Sequence, residues 1–344
     1  MTSFFIAHKS YDPPSFQRVR GPVLVTGVAG FIGFHTAKAL LDLGIPVVGV
    51  DNMNDYYDVT IKQHRLDILQ LSSDFHFVHD DISNKVAMEH LFHHYSFKFV
   101  IHLAAQAGVR YSLSHPFSYL KSNIDGFLVL LECARHQKDF GHMVYASSSS
   151  VYGMNTKMPF REDDPVELPM SLYAATKRAN ELMAQSYYHL YHISLSGLRF
   201  FTVYGPWGRP DMAAFKFLNA MTCGDPIDVY NNGEMARDYT FVGDTVRGIL
   251  GALDTPPHYT HQNPSHPLYN LGNNKLETLM DFISCLEKHA GIKAQKNMMP
   301  LQPGDVPKTA ADTTKAHHVF GYDPTTSMDE GLGLFVDWHK SYYG

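Results

Sequence analysis

Cysteine is scarce in this chain: of 344 residues only Cys133, Cys223 and Cys285 carry a thiol. An odd number with no C-x-x-C pair excludes a disulfide framework and a zinc ribbon, and fits a reducing, cytoplasmic compartment. Positive charge is also in short supply, with 28 Lys and Arg against 34 Asp and Glu and a net charge of −6. That balance excludes a nucleic-acid-binding field over the whole surface, so any anionic ligand must be captured by a local pocket. Apolar runs stay short, as in residues 22–26 and 127–131, far below the roughly 20 residues of a membrane-spanning helix. No membrane partner is expected. With 44% hydrophobic and 18% charged residues disorder is excluded as well, and the length suits two domains of roughly 100–200 residues each. Met1–Gly21 lacks the continuous apolar stretch of a signal peptide and reads as an N-terminal extension.

What is present is an alternation. Residues 23–27 (VLVTG) lead into FIGFHTAKALLDLG and then VVGVD ending at Asp51. Further strand-like runs lie at Phe75–His79, Phe99–Leu103, Met143–Ser147 and Ser194–Phe200, with helical patterns at Asn84–Tyr95, Ser122–His136 and Tyr173–His189 between them. Repeated units of this length imply an α/β fold of the Rossmann type, a doubly wound parallel sheet, because parallel strands need crossover helices. After Gly205 proline and glycine become frequent, and helices are expected at Thr245–Leu253, Leu279–His289 and Asp329–Tyr343. Asn232-Gly233 between IDVY and RDYTFV predicts a hairpin with a type I′ turn. The expected division is an extension (1–21), a nucleotide-binding domain (22–205) and a smaller mixed α/β substrate domain (206–344), with some crossing of the chain between the last two.

The first strand runs into Gly27-Val28-Ala29-Gly30-Phe31-Ile32-Gly33, a G-x-x-G-x-x-G turn opening a helix. Missing Cβ atoms there let backbone N–H groups approach a pyrophosphate; a tight strand-to-helix turn without ligand is the plainer alternative. Asp51, with Asn52 beside it, ends the second strand 18 residues after Gly33. An acid at that point accepts both ribose hydroxyls of an adenosine and repels a 2′-phosphate, which selects NAD over NADP. Asp81-Ile82 and Leu103-Ala104-Ala105 follow the third and fourth strands, where ligands of open α/β sheets bind. Asp81 is expected at the adenine or, equally ordinary, in turn and cap chemistry, with the Asp80 side chain solvated.

Tyr173 and Lys177 form a Y-x-x-x-K, one helical turn apart on one face. A nearby ammonium and a cationic nicotinamide would both lower a phenol from about 10 toward neutrality, letting it take a proton from an alcohol. The helix of Tyr173 and Lys177 follows the fifth strand, whose end carries Tyr145-Ala-Ser-Ser-Ser-Ser-Val-Tyr-Gly153 and is expected beside the nicotinamide.

In order and wording these segments resemble the extended short-chain dehydrogenase/reductase superfamily, and within it the UDP-glucuronate 4-epimerase group. The resemblance rests on T-G-x-x-G-x-x-G at Thr26, DNMNDYYDVTIKQHRL at Asp51, HLAAQAGVRYSL at His102, YASSSSVYG at Tyr145, SLYAATKRANELMA at Ser171, GLRFFTVYGPWGRPDMA at Gly197 and QPGDVP at Gln302. It implies Ser148 hydrogen-bonding the sugar O4, Tyr173 as base and acid, and Lys177 holding the nicotinamide ribose. Ser149 and Ser150 become donors to a C6 carboxylate rather than turn-forming serines, joined by Thr202 and by Arg209, whose fork matches a carboxylate; Arg209 as a surface or interface charge is the alternative. Arg237 would face the UDP diphosphate and Asp305 the uridine ribose. Lys216, Val229 and Tyr230 would line the nucleotide cleft or form a solvated face, and Arg110 would sit near the sugar. Gln302 stands where many galactose-type epimerases have Arg, and Ser149-Ser150 stands where 4,6-dehydratases have an Asp-Glu pair. The implied reaction is C4 epimerisation of UDP-glucuronate through a 4-keto sugar, with NAD kept bound and a homodimer built on the Tyr173 helix. UDP-N-acetylglucosamine or UDP-glucose as substrate, decarboxylation, and a non-catalytic binder remain the alternatives. His90, His93 and His94 share a helix face and read as solvated, so no metal is expected.

Overall fold

The computed structural model describes residues 18–262, 264–302 and 304–344. Most of the N-terminal extension therefore lies outside the described residues. Seven strands form one parallel sheet: β1 (Val23–Thr26), β2 (Val47–Asp51), β3 (Phe75–His79), β4 (Phe99–His102), β5 (His142–Ser148), β6 (Leu195–Phe200) and β7 (Leu268–Leu271), in the order β7-β6-β5-β4-β1-β2-β3. Strand order reverses between β1 and β4, which opens a crevice at their carboxyl ends. Every residue of β1, β2, β4, β5 and β6 is buried. Helices cover both faces, so these strands show continuous apolar runs instead of alternation.

The crossover helices follow the expected pattern: α1 (Phe31–Asp42), α2 (Val59–Leu69), α3 (Lys85–Tyr95), α4 (Gly126–Arg135) and α5 (Leu172–Tyr191). Ser171 caps α5 by accepting from the Ala174 N–H at 3.1 Å, which fixes where the Tyr173 turn begins. One difference is that the segment expected as a continuous helix from Ser122 starts as a π-helical stretch, Leu120–Asp125, before α4. Its Asn123 amide accepts from Gln106 N at 2.8 Å and donates to Gln106 O and Thr176 Oγ1 at 3.1 and 3.0 Å. The wider turn thus ties the β4 loop to α5.

Beyond Gly205 come α6 (Ala213–Cys223), α7 (Val242–Leu253), α8 (Leu279–Ala290) and α9 (Met328–Tyr343). This part does not stand apart: β7 pairs with β6, α7 packs on α1, and one apolar core runs from Val25 and Phe34 to Leu250, Phe282 and Trp338. The expected hairpin is absent. Asn231 and Asn232 do adopt positive φ, 53° and 50°, but Ile227–Val229 pairs in parallel with Lys296–Met298 and Ala236–Arg237 pairs with Glu277–Thr278. Local turn chemistry was correct, while later segments of the chain took the strand edges.

Candidate active site

The crevice between β1 and β4 is lined by every residue expected at the cofactor: Gly27, Gly30, Phe31, Ile32, Gly33, Asp51, Asn52, Asp81, Ile82, Leu103, Ala104, Ala105, Tyr173 and Lys177. Packing dictates the glycines. A Cβ on Gly33 would stand 2.0 Å from the Gly27 carbonyl oxygen, and one on Gly27 2.7 Å from Ala104 N. Thr26 Oγ1 bonds the buried His102 Nδ1 at 2.8 Å and accepts from Ala104 N at 3.2 Å, locking the two strand ends together. Burial pushes that imidazole down to about 3, so it stays neutral.

These residues fit a dinucleotide. The N-terminus of α1 has no side-chain cap, which leaves its first-turn N–H groups for a phosphate. Asp51 accepts one backbone N–H on each oxygen, from Ala29 at 3.1 Å and Met53 at 2.9 Å. A carboxylate with about four acceptor sites keeps capacity for two ribose hydroxyls. Asp81 is more committed, accepting from Ser83 N and Oγ at 2.9 and 2.8 Å and from Asn52 at 3.1 Å, and pairing with Lys121 at 3.2 Å. Burial raises its carboxyl, but these donors outweigh it and hold it below the ordinary value. Its turn role is therefore built in. Asp80 is half-buried and accepts from Asn84 at 3.0 Å, so its side chain is not simply solvated.

A second compartment opens on the other side of Tyr173. It is lined by Arg110, Ser148, Ser149, Ser150, Thr202, Arg209, Lys216, Tyr230, Arg237 and Asp305. Val229 is the exception among the expected residues. Strand alternation turns it into the core, fully buried, while Tyr230 faces the cleft. Arg110 donates to Asp305 at 2.8 Å and lies 4.3 Å over the Tyr230 ring. It thus joins the residues assigned to the nucleotide end, not the serines. Arg237 holds the carbonyls of Ala236 and Pro307 at 3.1 and 2.9 Å, and burial lowers its guanidinium.

Ser148, Tyr173, Arg209, Tyr56 and Met212 border both compartments. Burial raises the Tyr173 phenol, while a hydrogen bond from Ser148 and the charge of Arg209 oppose that rise. Lys177 was expected to do this. Instead its buried ammonium donates to Ala146 O at 2.9 Å, and burial lowers it to about 8. Beneath the site, Ser147 donates to Glu181 at 2.7 Å and Arg199 forks onto the same carboxylate at 2.8 and 2.9 Å, all three buried.

Sequence reasoning missed Tyr56, Lys62 and Asp211. The first two lie in the DNMNDYYDVTIKQHRL segment and carried no spacing signal. Asp211 follows Arg209 by two residues, and only the fold shows that it pairs with it. Outside the cleft, Cys285, His289 and Asp329 bring ligand-type atoms within 4.8 Å of one another. Lys288 already holds both Asp329 oxygens at 2.7 and 2.9 Å, so the group is a self-satisfied ion pair.

A tyrosine and a lysine one helical turn apart, beside the dinucleotide crevice of a parallel sheet, define the extended short-chain dehydrogenase/reductase class, and this chain is of that class. Residues 24–334 match the family described as GDP-mannose 4,6 dehydratase, and the chain belongs to it. UDP-glucuronate 4-epimerase 2 of Arabidopsis thaliana is 47% identical over 331 residues, covering 93% of this chain and 76% of the relative. A crystal structure of UDP-glucuronic acid 4-epimerase from Bacillus cereus, in complex with UDP-glucuronic acid and NAD, superposes with a TM-score of 0.86 at 36% identity, over 94% of this chain and 100% of that one. UDP-glucose 4-epimerase of Thermotoga maritima with UDP-glucose gives 0.83 at 29% identity, over 94% and 100%. The fold is shared across sugars, and the site must select among them.

Proposed function

We propose that this chain is an NAD-dependent UDP-glucuronate 4-epimerase that interconverts UDP-glucuronate and UDP-galacturonate. The observation that carries the reading is the position of Tyr173 at the boundary of two compartments, one fitting a dinucleotide and the other lined by hydroxyls and arginines. The Arabidopsis and Bacillus relatives support the same substrate. Bound NAD would supply a hydride acceptor and donor at the sugar C4.

The chain's own groups do the rest. Tyr173 takes the O4 proton onto its phenol oxygen and later returns it, with Ser148 hydrogen-bonded to that oxygen as the relay to O4. Arg209 supplies the positive charge that favours the phenolate, while Lys177 would hold the nicotinamide ribose. Ser149, Ser150, Thr202 and Arg209 grip the C6 carboxylate, and Arg237 and Asp305 anchor the diphosphate and uridine while the 4-keto ring turns over. Before and after the turn, the held carboxylate also disfavours the geometry in which a β-keto acid loses CO2. Ser149 and Ser150 stand where 4,6-dehydratases have their Asp-Glu pair, which argues against dehydration.

We further read the protein as a cytoplasmic homodimer. Phe117, Leu120 and Leu128, together with Leu182 and Leu190 of α5, are apolar and exposed, and an exposed apolar patch of this kind marks an interface. An exposed free thiol at Cys223 is consistent with a reducing compartment. Sedimentation of the wild type and of Phe117→Glu tests the dimer, the variant being expected as a monomer. Incubation of the purified protein with UDP-glucuronate, without added NAD, tests the activity. UDP-galacturonate is expected; a UDP-pentose means decarboxylation, and an unchanged substrate overturns the assignment.

A further inference from the structure

Arg209, the cation assigned to the substrate carboxylate, is already held by a carboxylate of the chain. Its Nε donates to Asp211 Oδ1 at 2.9 Å and its Nη2 to Asp211 Oδ2, a two-point fork. Tyr56 donates its hydroxyl to Asp211 Oδ2 at 3.0 Å, and the guanidinium carbon lies 5.8 Å from the Tyr56 ring centre. Both charged side chains are mostly buried, 21% and 23% exposed. Arg209 borders both compartments, whereas Asp211 lines only the one assigned to the sugar nucleotide.

We propose that Asp211 sets the specificity of the site by competing with the substrate carboxylate for the Arg209 fork. The proposal rests on the reading of Arg209 as the uronate's cation. A fork offers one best edge for bidentate pairing, and Asp211 takes it. A uronate must therefore displace Asp211 or accept the remaining edge, while a neutral hexose competes for neither. The exchange also serves the reaction. When the 4-keto ring turns over, its carboxylate leaves the guanidinium, and a buried guanidinium left without a partner is costly. Asp211 keeps it paired during the turn, at the expense of a weaker grip on the bound uronate. Its own carboxyl is suited to this: burial raises it, but Arg209 and Tyr56 hold it below the ordinary range, so it stays charged.

The test compares binding of UDP-glucuronate and UDP-glucose to the NAD-loaded enzyme by calorimetric titration, in wild type, D211N, R209Q and the double variant. In D211N the ratio of UDP-glucuronate to UDP-glucose affinity should rise about tenfold, equivalent to about 1.4 kcal/mol. Its kcat for UDP-glucuronate should fall together with KM. In the R209Q background D211N should leave the ratio unchanged, since the competition acts only through Arg209. A ratio that stays level or falls in D211N, or one that still rises without Arg209, overturns the proposal. Should D211N not fold, D211S removes the same charge and is expected to show the same rise. If wild type binds UDP-glucuronate without epimerising it, the functional reading fails while the ratio still decides the role of Asp211.

Discussion

The two compartments that meet at Tyr173 are built differently. The cofactor side is made of strand ends, backbone N–H groups and glycines whose Cβ atoms would collide with neighbouring backbone. The sugar-nucleotide side is made of charged side chains on loops and short elements, and those charges pair with one another, Arg209 with Asp211 and Arg110 with Asp305. Structure and binding are thus fused on the first side and largely separable on the second. Substitutions on the first should damage folding and cofactor retention together, and on the second mainly ligand recognition.

The junction itself should give the largest effect. Tyr173→Phe should lower turnover by about 10³-fold, as loss of a general acid-base predicts, while the calorimetric affinity for UDP-glucuronate stays within a few-fold of wild type. A variant turning over at near-normal rate removes Tyr173 from the chemistry. Below the junction, Glu181→Leu leaves the buried Arg199 without its carboxylate and should cost about 3–5 kcal/mol in denaturant unfolding. Gly33→Ala places a Cβ 2.0 Å from a backbone oxygen and should cost about 1–3 kcal/mol together with loss of resident NAD; a stable variant that keeps its NAD breaks the fusion claimed for this side. On the other side, Arg237→Gln should leave the melting temperature within a degree or two and weaken UDP-sugar binding by about tenfold. A large loss of stability there would erase the contrast.

The smallest effect is that of pH. Lys177 is lowered to about 8 by burial, so its charge is present below that value and is lost as pH rises through it. The pH profile of kcat should show a descending limb centred near 8; a profile flat to pH 9 would remove the Lys177 charge from the reaction.

The same contrast explains what could be read in advance. The α/β order, the glycine-rich turn, Asp51 and the Tyr173 and Lys177 pair depend on local spacing, whereas Ser148 came from the family resemblance; the crevice between β1 and β4 contains each residue expected there from the sequence. The second compartment depends on which distant segments meet. Val229 was misread because its strand is only three residues long and alternation decides its face. The Asn232-Gly233 hairpin is absent because its two flanking strands pair instead with residues 296–298 and 277–278. Asp211 was invisible because a carboxylate two residues from an arginine becomes its partner only when the intervening turn folds both side chains inward. The charge that opposes the rise of the Tyr173 phenol likewise comes from Arg209, 36 residues further on, and not from the lysine one turn away.

The central claim is that the two sides cooperate on one carbon, with Tyr173 moving the proton and the resident cofactor returning the hydrogen it removed. UDP-glucuronate deuterated at C4, incubated with the purified enzyme in ordinary water, tests this directly. The account predicts UDP-galacturonate that retains its deuterium at C4. Product carrying solvent hydrogen at C4 would contradict it.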